Sequence, residues 1–145
     1  MAIWFREITP ELLNERGANT MSDYLGIRFI EVGEETLKAT MPATARTKQP
    51  IGIIHGGANV VLAETIASTA ANCVVDLDMC YCVGLEINAN HIRSVKEGLV
   101  TAVTRPIHIG RTTQIWQIDI TNEAGKLTCV SRMTASVVPR SRLQD

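Results

Sequence analysis

Residues 47–68, TKQPIGIIHGGANVVLAETIAS, decide both the fold and the chemistry that we expect of this chain. The almost wholly apolar run after the polar loop predicts one long helix over residues 57–75. This helix carries a single carboxylate, Glu64, and a hydroxyl one turn later, Ser68. The unpaired N–H groups of a helix start can bind an oxyanion, and a carboxylate among apolar side chains is costly to bury without a reason. The segment therefore indicates acyl-transfer chemistry without a Ser/His/Asp triad.

The length and the charge of the chain narrow the class of protein. A chain of 145 residues predicts a single domain over residues 1–145, with a substantial core. Because the formal net charge is -1 and no basic block occurs, we expect neither nucleic acid nor a membrane as the main partner. The N-terminus reaches Arg6 and Glu7 before any apolar run develops, so we do not expect it to form a signal peptide. No stretch is long enough to be a transmembrane helix.

The cysteines point to a reducing compartment. Their spacing matches no zinc motif, and we interpret them as small core or half-buried thiols: Cys73, Cys80, Cys82 and Cys129. A cytoplasmic protein fits this usage best. We expect neither a metal nor a cofactor.

The chain before the long helix predicts two short helices and one hairpin. Residues 8–16 have Thr9 as N-cap and Pro10 at the first helical position, and a second helical piece follows around residues 20–26. Strands over residues 26–32 and 36–41 flank a turn at 33–35. Pro42 and Pro50, as breakers of regular structure, predict a loop over residues 43–55.

The chain after the long helix predicts four strands, over residues 81–92, 99–109, 112–122 and 126–138. Turn residues separate them at 96–98, at Gly110 and at 123–125, and strands joined by short turns are expected to pair antiparallel. A hairpin, a buried helix and four strands predict an α+β fold, in which an antiparallel sheet curls around one central helix.

The long helix also predicts a dimer. One sheet covers a single side of it, yet most of its residues are apolar: Val60, Val61, Leu62, Ala63, Ile66, Ala67, Ala70, Ala71, Val74 and Val75. A second copy of the chain is the simplest cover for the other side. Glu64 lies about 12 Å along the axis from Gly56, at a rise of about 1.5 Å per residue, so one carbonyl cannot easily contact both. Antiparallel helices across a dimer axis would place the start of one beside Glu64 of the other.

Three segments resemble one known family: QPIGIIHGGANVVLAE, VGLEINANHIRSVKEG and PIHIGRTTQIWQIDI. They are similar to the hotdog-fold acyl-CoA thioesterases of the phenylacetate-degradation type. The similarity covers nearly the whole chain and is greatest to the bacterial branch that hydrolyses 1,4-dihydroxy-2-naphthoyl-CoA in menaquinone biosynthesis. A sister branch clears mischarged aryl carrier proteins. The resemblance implies a hotdog fold, assembled as a dimer of dimers.

The resemblance also implies roles for individual residues. Glu64 matches the family's nucleophile or general base, and Gly56 matches the backbone N–H that polarises the thioester carbonyl. Gln49 matches the glutamine that orients that carbonyl, while His55 and Ser68 match the histidine before the glycines and the hydroxyl after the glutamate. The chain departs from the family at Ile51, where relatives carry an aromatic residue, and this bears on the preference for a large aromatic acyl group.

Each candidate residue has a structural alternative. Glu64 would then be a paired, buried carboxylate. His55 would be a helix cap, Gln49 a solvated loop residue and Ser68 a hydroxyl bonded to its own helix. The phosphates of CoA require basic residues near the site, and the candidates are His91, Arg93 and Arg111, which are otherwise ordinary solvated residues. We expect Trp116 in the core.

Three other functions compete with acyl-CoA hydrolysis. The first is proofreading hydrolysis on an acyl or aryl carrier protein. The second is dehydration of hydroxyacyl thioesters, which pairs a histidine with an acid, as His55 and Glu64 could. The third is non-catalytic binding of acyl-CoA in the same cleft. Sequence does not separate attack by Glu64 on the carbonyl from activation of a water by Glu64.

Overall fold

The structure, a computed structural model, describes residues 1–144. Two short helices come first, α1 (Pro10–Arg16) and α2 (Met21–Tyr24), followed by a hairpin of β1 (Arg28–Val32) and β2 (Leu37–Pro42). The long helix is α3 (Gly56–Cys73). Four strands follow it: β3 (Cys80–His91), β4 (Leu99–Ile109), β5 (Thr113–Thr121) and β6 (Leu127–Pro139). A 3-10 helix over Arg140–Gln144 comes last.

Local signals in the N-terminal third are confirmed. The Thr9 hydroxyl accepts a hydrogen bond from the Leu12 N–H at 3.2 Å, as expected of the N-cap of α1. In the hairpin, the Gly33 N–H donates to the Thr36 carbonyl at 2.8 Å and closes the turn. Every second side chain of β2 faces the core, since Leu37, Ala39 and Met41 are fully buried. Period-two patterning therefore predicted the correct face of this strand.

The six strands form one antiparallel sheet in the order β1-β2-β4-β5-β6-β3. The short turns predicted that β4 pairs with β5 and β5 with β6, and both pairings are confirmed. The expected pairing of β3 with β4 is wrong, because β3 pairs with β6 at the far edge of the sheet while β4 pairs with β2. Residues 92–98 cross from one edge to the middle of the sheet, and the Val95 carbonyl accepts a hydrogen bond from the Ile54 N–H on the way. This crossing wraps the start of α3.

Helix α3 packs against one face of the curled sheet and supplies much of the core. It ends two residues earlier than expected, where the Phe5 N–H donates to the Cys73 carbonyl at 2.8 Å and satisfies one of its last carbonyls. Trp116 lies in the core, as predicted, and its indole N–H donates to Gln114 Oε1 at 2.9 Å. The side of α3 that faces away from the sheet stays partly exposed around Val60 and Val61.

The four cysteines are free thiols, three buried and one half-buried, as expected. Burial raises the pKa of the Cys82 thiol to about 11, so this thiol is uncharged at neutral pH. Among the helices of residues 1–144, none combines the length and apolar character needed to cross a bilayer.

Candidate active site

The start of α3 presents a free backbone N–H. His55 is the N-cap, and its Nδ1 accepts a hydrogen bond from the Gly57 N–H at 2.8 Å. Nδ1 is therefore the hydrogen-bond acceptor of this imidazole. The capping role that we considered for His55 is thus present in the structure. The Gly56 N–H has no acceptor within residues 1–144 and can bind a carbonyl oxygen, aided by the helix dipole.

The loop before α3 holds Gln49 in a fixed position. Gln49 Oε1 accepts a hydrogen bond from the Ile51 N–H at 2.7 Å, and its backbone N–H donates to the Ile53 carbonyl at 2.9 Å. Gly52 completes this tight turn at a φ of 86°, which few other residues adopt. Since the amide oxygen is engaged within the loop, the amide N–H₂ of Gln49 is the group left to donate to a ligand.

A cavity of about 330 Å³, the helix-start groove, lies beside the Gly56 N–H. Its lining includes Gln49, Gly56, Asn59, His91, Arg93 and Val95. A side chain on Gly56 would come within 2.9 Å of His91 Nε2, so the imidazole lies directly over this glycine. The crossing of residues 92–98 explains this contact, because it carries the end of β3 past the helix start. The structure thus brings together four candidates: Gln49, Gly56, His91 and Arg93.

Glu64 lines a different cavity of about 380 Å³, the carboxylate groove, between α3, α2 and β3. Its carboxylate forms neither an ion pair nor a hydrogen bond with another group of residues 1–144. Burial raises the pKa of Glu64 above its usual value, and no neighbouring charge offsets this effect. Glu64 is therefore not the paired structural carboxylate that we considered as its alternative role. An unpaired, partly buried carboxylate is instead typical of a catalytic base or nucleophile.

Gly84 of β3, which we did not single out from sequence, lies directly against Glu64. A Cβ on Gly84 would collide with Glu64 Oε1. The pairing register of β3 with β6 shifts between Gly84 and Glu86, which marks a β-bulge at this point. A glycine inside a strand indicates a bulge or a close approach, and this signal was available in the sequence.

Asn72 holds β3 against α3 and was also missed. Its Oδ1 accepts from the Cys82 N–H at 2.8 Å, and its Nδ2 donates to the Cys82 carbonyl at 3.0 Å and to the Ser68 carbonyl at 2.9 Å. These bonds fix the strand two residues before Gly84. They therefore set where the bulge lies relative to the carboxylate of Glu64.

The other candidates lie elsewhere in the chain. Ser68 lines a third cavity of about 500 Å³, which adjoins the carboxylate groove at Thr65. Its hydroxyl makes no hydrogen bond in the part of the chain that is described, so it is not tied to its own helix. Arg111 follows β4 at the end of the sheet opposite to His91 and Arg93, and one chain does not bring these three together.

No cluster of three or more His, Cys, Asp or Glu side chains within residues 1–144 is arranged to hold a metal ion.

Comparison with known proteins assigns this arrangement to a family. The model of the thioesterase superfamily matches residues 51–129, more than half of the chain, and spans the helix start, Glu64 and the crossing. The chain belongs to the thioesterase superfamily. It is 51% identical over 136 residues to the 1,4-dihydroxy-2-naphthoyl-CoA hydrolase of Escherichia coli (strain K12), with 94% of this chain and 99% of the relative covered.

Two further relatives agree with this membership. The proofreading thioesterase EntH of Cronobacter turicensis is 43% identical over 136 residues, covering 94% of this chain and 98% of its own. The crystal structure of a mutant thioesterase from Pseudomonas aeruginosa superposes with a TM-score of 0.94 at 48% identity, covering 95% of this chain and 99% of that one. This thioesterase-superfamily protein therefore has the hotdog fold and is a thioester hydrolase, as the sequence predicted.

Proposed function

We propose that this thioesterase hydrolyses acyl-CoA thioesters, with an aromatic acyl group such as 1,4-dihydroxy-2-naphthoyl, to the free acid and CoA. The observation that carries the proposal is Glu64, an unpaired carboxylate whose pKa is raised by burial and which lies beside a groove. The relative from Escherichia coli, named for that substrate, supports the choice of acyl group. A role in menaquinone biosynthesis and a cytoplasmic location are part of the same proposal.

The chemistry follows from the two grooves. The Gly56 N–H and the amide N–H₂ of Gln49 donate to the thioester oxygen and stabilise the oxyanion that forms on it. Glu64 either attacks the carbonyl carbon, giving an anhydride that water then hydrolyses, or removes a proton from an attacking water. In both routes the C–S bond breaks, the thiolate leaves with the electron pair, and a proton from water restores the thiol. Ser68 orients the water or supports the leaving thiolate.

We further propose that each active site is shared between two chains, Gly56 from one protomer and Glu64 from its partner. Two observations support this. Within one chain, Gly56 and Glu64 line separate grooves. Strand β3 is a long edge strand, paired only with β6 among residues 1–144, and it carries exposed apolar side chains, since Leu85 is 66% exposed and Val83 is 40% exposed. An exposed apolar edge strand favours pairing with another chain.

The assembly predicts a measurable mass. Light scattering on the purified protein at micromolar concentration is expected to give twice or four times the 15.9 kDa of the chain, since we propose a homodimer and a dimer of dimers. An active species with the mass of one chain would exclude the shared site.

The leaving thiol occupies the helix-start groove in this proposal. His91 and Arg93 line this groove together with Gly56, and in this proposal they contact the CoA moiety. Arg111 lies at the other end of the sheet and would have to act from another chain. Phosphopantetheine on a carrier protein has the same arm, and the EntH relative supports carrier-bound aryl thioesters as the second candidate substrate.

Release of free thiol from a panel of thioesters tests the proposed function. We expect 1,4-dihydroxy-2-naphthoyl-CoA and benzoyl-CoA to release CoA faster than acyl-CoAs with short aliphatic chains. Higher kcat/KM on an aryl carrier protein than on the matching aryl-CoA would favour the proofreading function. An enoyl product without free thiol would indicate a dehydratase, and binding without any product would indicate a binding module. Either of the last two results contradicts the proposal.

Activity should fall in acid with the titration of Glu64. The carboxylate is the active form, and burial raises its pKa. As pH falls through this raised pKa, Glu64 takes up a proton and kcat/KM declines. A profile of kcat/KM against pH is therefore expected to decline on its acid side, with the midpoint of the decline above the pH at which an ordinary glutamate titrates. The acid limb should disappear from the residual activity of a Glu64→Gln variant, and its persistence there would assign the titration to another group.

The contact between Gly84 and Glu64 predicts a second effect on activity. In Gly84→Ala the new methyl displaces the carboxylate, which is the flexible end of its side chain and can move without unfolding the protein. We expect kcat to fall about tenfold to hundredfold, because misplacement by about 1 Å is costly to catalysis, while Tm changes little. Gly17→Ala is a control for glycine replacement in general, since its added Cβ would make only ordinary contacts at 3.6 and 3.7 Å and its φ of -82° suits alanine, and it should retain activity. Unchanged kcat in Gly84→Ala would show that the carboxylate does not need its present position.

A further inference from the structure

His91 lies with the tip of its imidazole against the residue that carries the free N–H. A Cβ on Gly56 would meet His91 Nε2 at 2.9 Å, Cε1 at 3.2 Å and Cδ2 at 3.3 Å, so the Nε2 end of the ring points at Gly56. Because a Cβ lies about 2.5 Å from the nitrogen of its own residue, Nε2 lies within about 5.4 Å of the Gly56 nitrogen. A thioester whose oxygen binds the Gly56 N–H is therefore within reach of this imidazole.

The imidazole of His91 can donate a hydrogen bond at Nε2. It is exposed, and it makes no hydrogen bond with another group of residues 1–144. Both the tautomer with its proton on Nε2 and the imidazolium present a donor there. His55, the other histidine at the helix start, has its Nδ1 engaged with the Gly57 N–H and does not line the helix-start groove. A ligand in this groove therefore meets His91 rather than His55.

The position of His91 determines which part of the thiol it contacts. In CoA, about thirteen bonds join the sulfur to the first phosphorus, which is roughly 14 Å when extended, the length of about four residues. A side chain against Gly56 lies at the sulfur end of this arm. Contact with the sulfur therefore fits the position of His91 better than contact with a phosphate, the role for which its basic side chain made it a candidate.

The sulfur needs a donor when the C–S bond breaks. The thiolate then carries a full negative charge, and a hydrogen bond to an ionised acceptor is stronger than one to a neutral acceptor. Ser68, the other candidate for this role, lines a different cavity, next to the carboxylate groove. Since the leaving thiol occupies the helix-start groove in the proposed function, His91 is the better placed of the two.

We propose that His91 is a catalytic residue whose Nε2–H donates a hydrogen bond to the departing sulfur. The C–S bond breaks with its electron pair on the sulfur, the proton stays on His91, and a proton from water restores the thiol. This inference rests on the proposed function, because it needs a thioester with its carbonyl at Gly56. It applies equally to CoA and to a carrier protein, since both supply the same thiol.

Two thioesters of similar shape and unequal thiol acidity test this. S-Ethyl thiobenzoate releases a weakly acidic thiol, whereas S-trifluoroethyl thiobenzoate releases a more acidic one, whose thiolate needs less stabilisation. His91→Met removes the donor, and His91→Gln, of the same length, keeps an N–H. We expect the ratio of kcat/KM, trifluoroethyl over ethyl, to rise about tenfold in His91→Met, the size of one hydrogen bond. In His91→Gln the ratio should stay near that of wild type.

The ratio separates this role of His91 from two others. It is measured on one enzyme sample, so a merely structural role lowers both rates by the same factor. Neither thioester contains a phosphate, so the loss of a phosphate contact changes neither rate. A ratio that does not rise in His91→Met therefore overturns the proposal.

The product CoA gives a second measurement, which decides the matter if the short thioesters are not hydrolysed. The thiol of bound CoA is titrated by the ultraviolet absorbance of its thiolate, against the complex with desulfo-CoA. We expect the pKa of this thiol to be about one unit lower in wild type and His91→Gln than in His91→Met. Equal pKa values in wild type and His91→Met would contradict the proposal and leave the proposed function intact. If the wild-type protein releases thiol from no thioester, aryl-CoA included, the proposed function itself fails.

Discussion

Replacement of Glu64 by glutamine is expected to lower kcat by about 10³-fold or more with the fold retained. Glutamine has nearly the same shape, but it neither attacks a thioester nor removes a proton from water. The same change removes a partly buried charge. Because the folded pKa of Glu64 is raised, the ionised carboxylate lowers stability once pH rises through that pKa. The variant should therefore have a higher Tm than wild type at pH 7, and the gain should shrink in acid.

Thiol release with a good aryl-CoA and thermal melts at two pH values measure both parts of this prediction. Glu35→Gln, at an exposed position in the first hairpin turn, is the matched control and should retain wild-type kcat. Near-normal turnover in Glu64→Gln would remove both proposed routes, nucleophilic attack and activation of water. A lower Tm at pH 7 would instead show that Glu64 stabilises the fold, as a structural carboxylate does.

Removal of the Gly56 N–H, in a protein that keeps Glu64, is expected to lower kcat by about 10² to 10³, the usual effect of losing one oxyanion donor. Proline at position 56 deletes this N–H. It suits the site, because the first helical position tolerates proline and the preceding residue, His55, has the extended φ of -63° and ψ of 133° that proline requires.

Gly56→Ala is the matched variant for this prediction. It adds the same Cβ, which would press on His91, yet it keeps the N–H. The difference in kcat between the alanine and proline variants therefore isolates the hydrogen bond from the crowding. Equal activity in the two variants would show that this N–H does not stabilise the transition state.

Much of the fold was predictable because its signals are local. The apolar run after position 56 specified α3, and the alternation of Leu37, Ala39 and Met41 specified the buried face of β2. The cap by Thr9 fixed the start of α1. Each of these features depends on residues within a few positions of one another, so periodicity and capping chemistry are enough.

The features that sequence did not predict depend on contacts between distant segments. A short connection after His91 favoured pairing of β3 with β4, yet residues 92–98 cross to another part of the sheet and leave β3 at the edge. That crossing places His91 over Gly56, and the bulge at Gly84 places β3 against Glu64.

The candidate site residues were proposed from sequence, and the structure shows how they are distributed over the chain. The structure groups Gln49 and Gly56 in one groove and leaves Glu64 in another. At a rise of about 1.5 Å per residue, Gly56 and Glu64 already lie about 12 Å apart along the axis of the same helix. A reaction that needs both groups at one carbonyl therefore requires either a large rearrangement of one chain or a second chain.

Complementation between two inactive variants tests the shared site most directly. Glu64→Gln and Gly56→Pro protomers are refolded together or co-expressed, and thiol release is compared with that of each variant alone. In a mixed dimer, one site combines an intact Gly56 with an intact Glu64. Random mixing should then restore about a quarter of wild-type kcat, because half of the dimers are mixed and each has one working site of two. Mixed dimers that form but remain as inactive as either parent would contradict the shared site and place Gly56 and Glu64 of one chain in the same reaction.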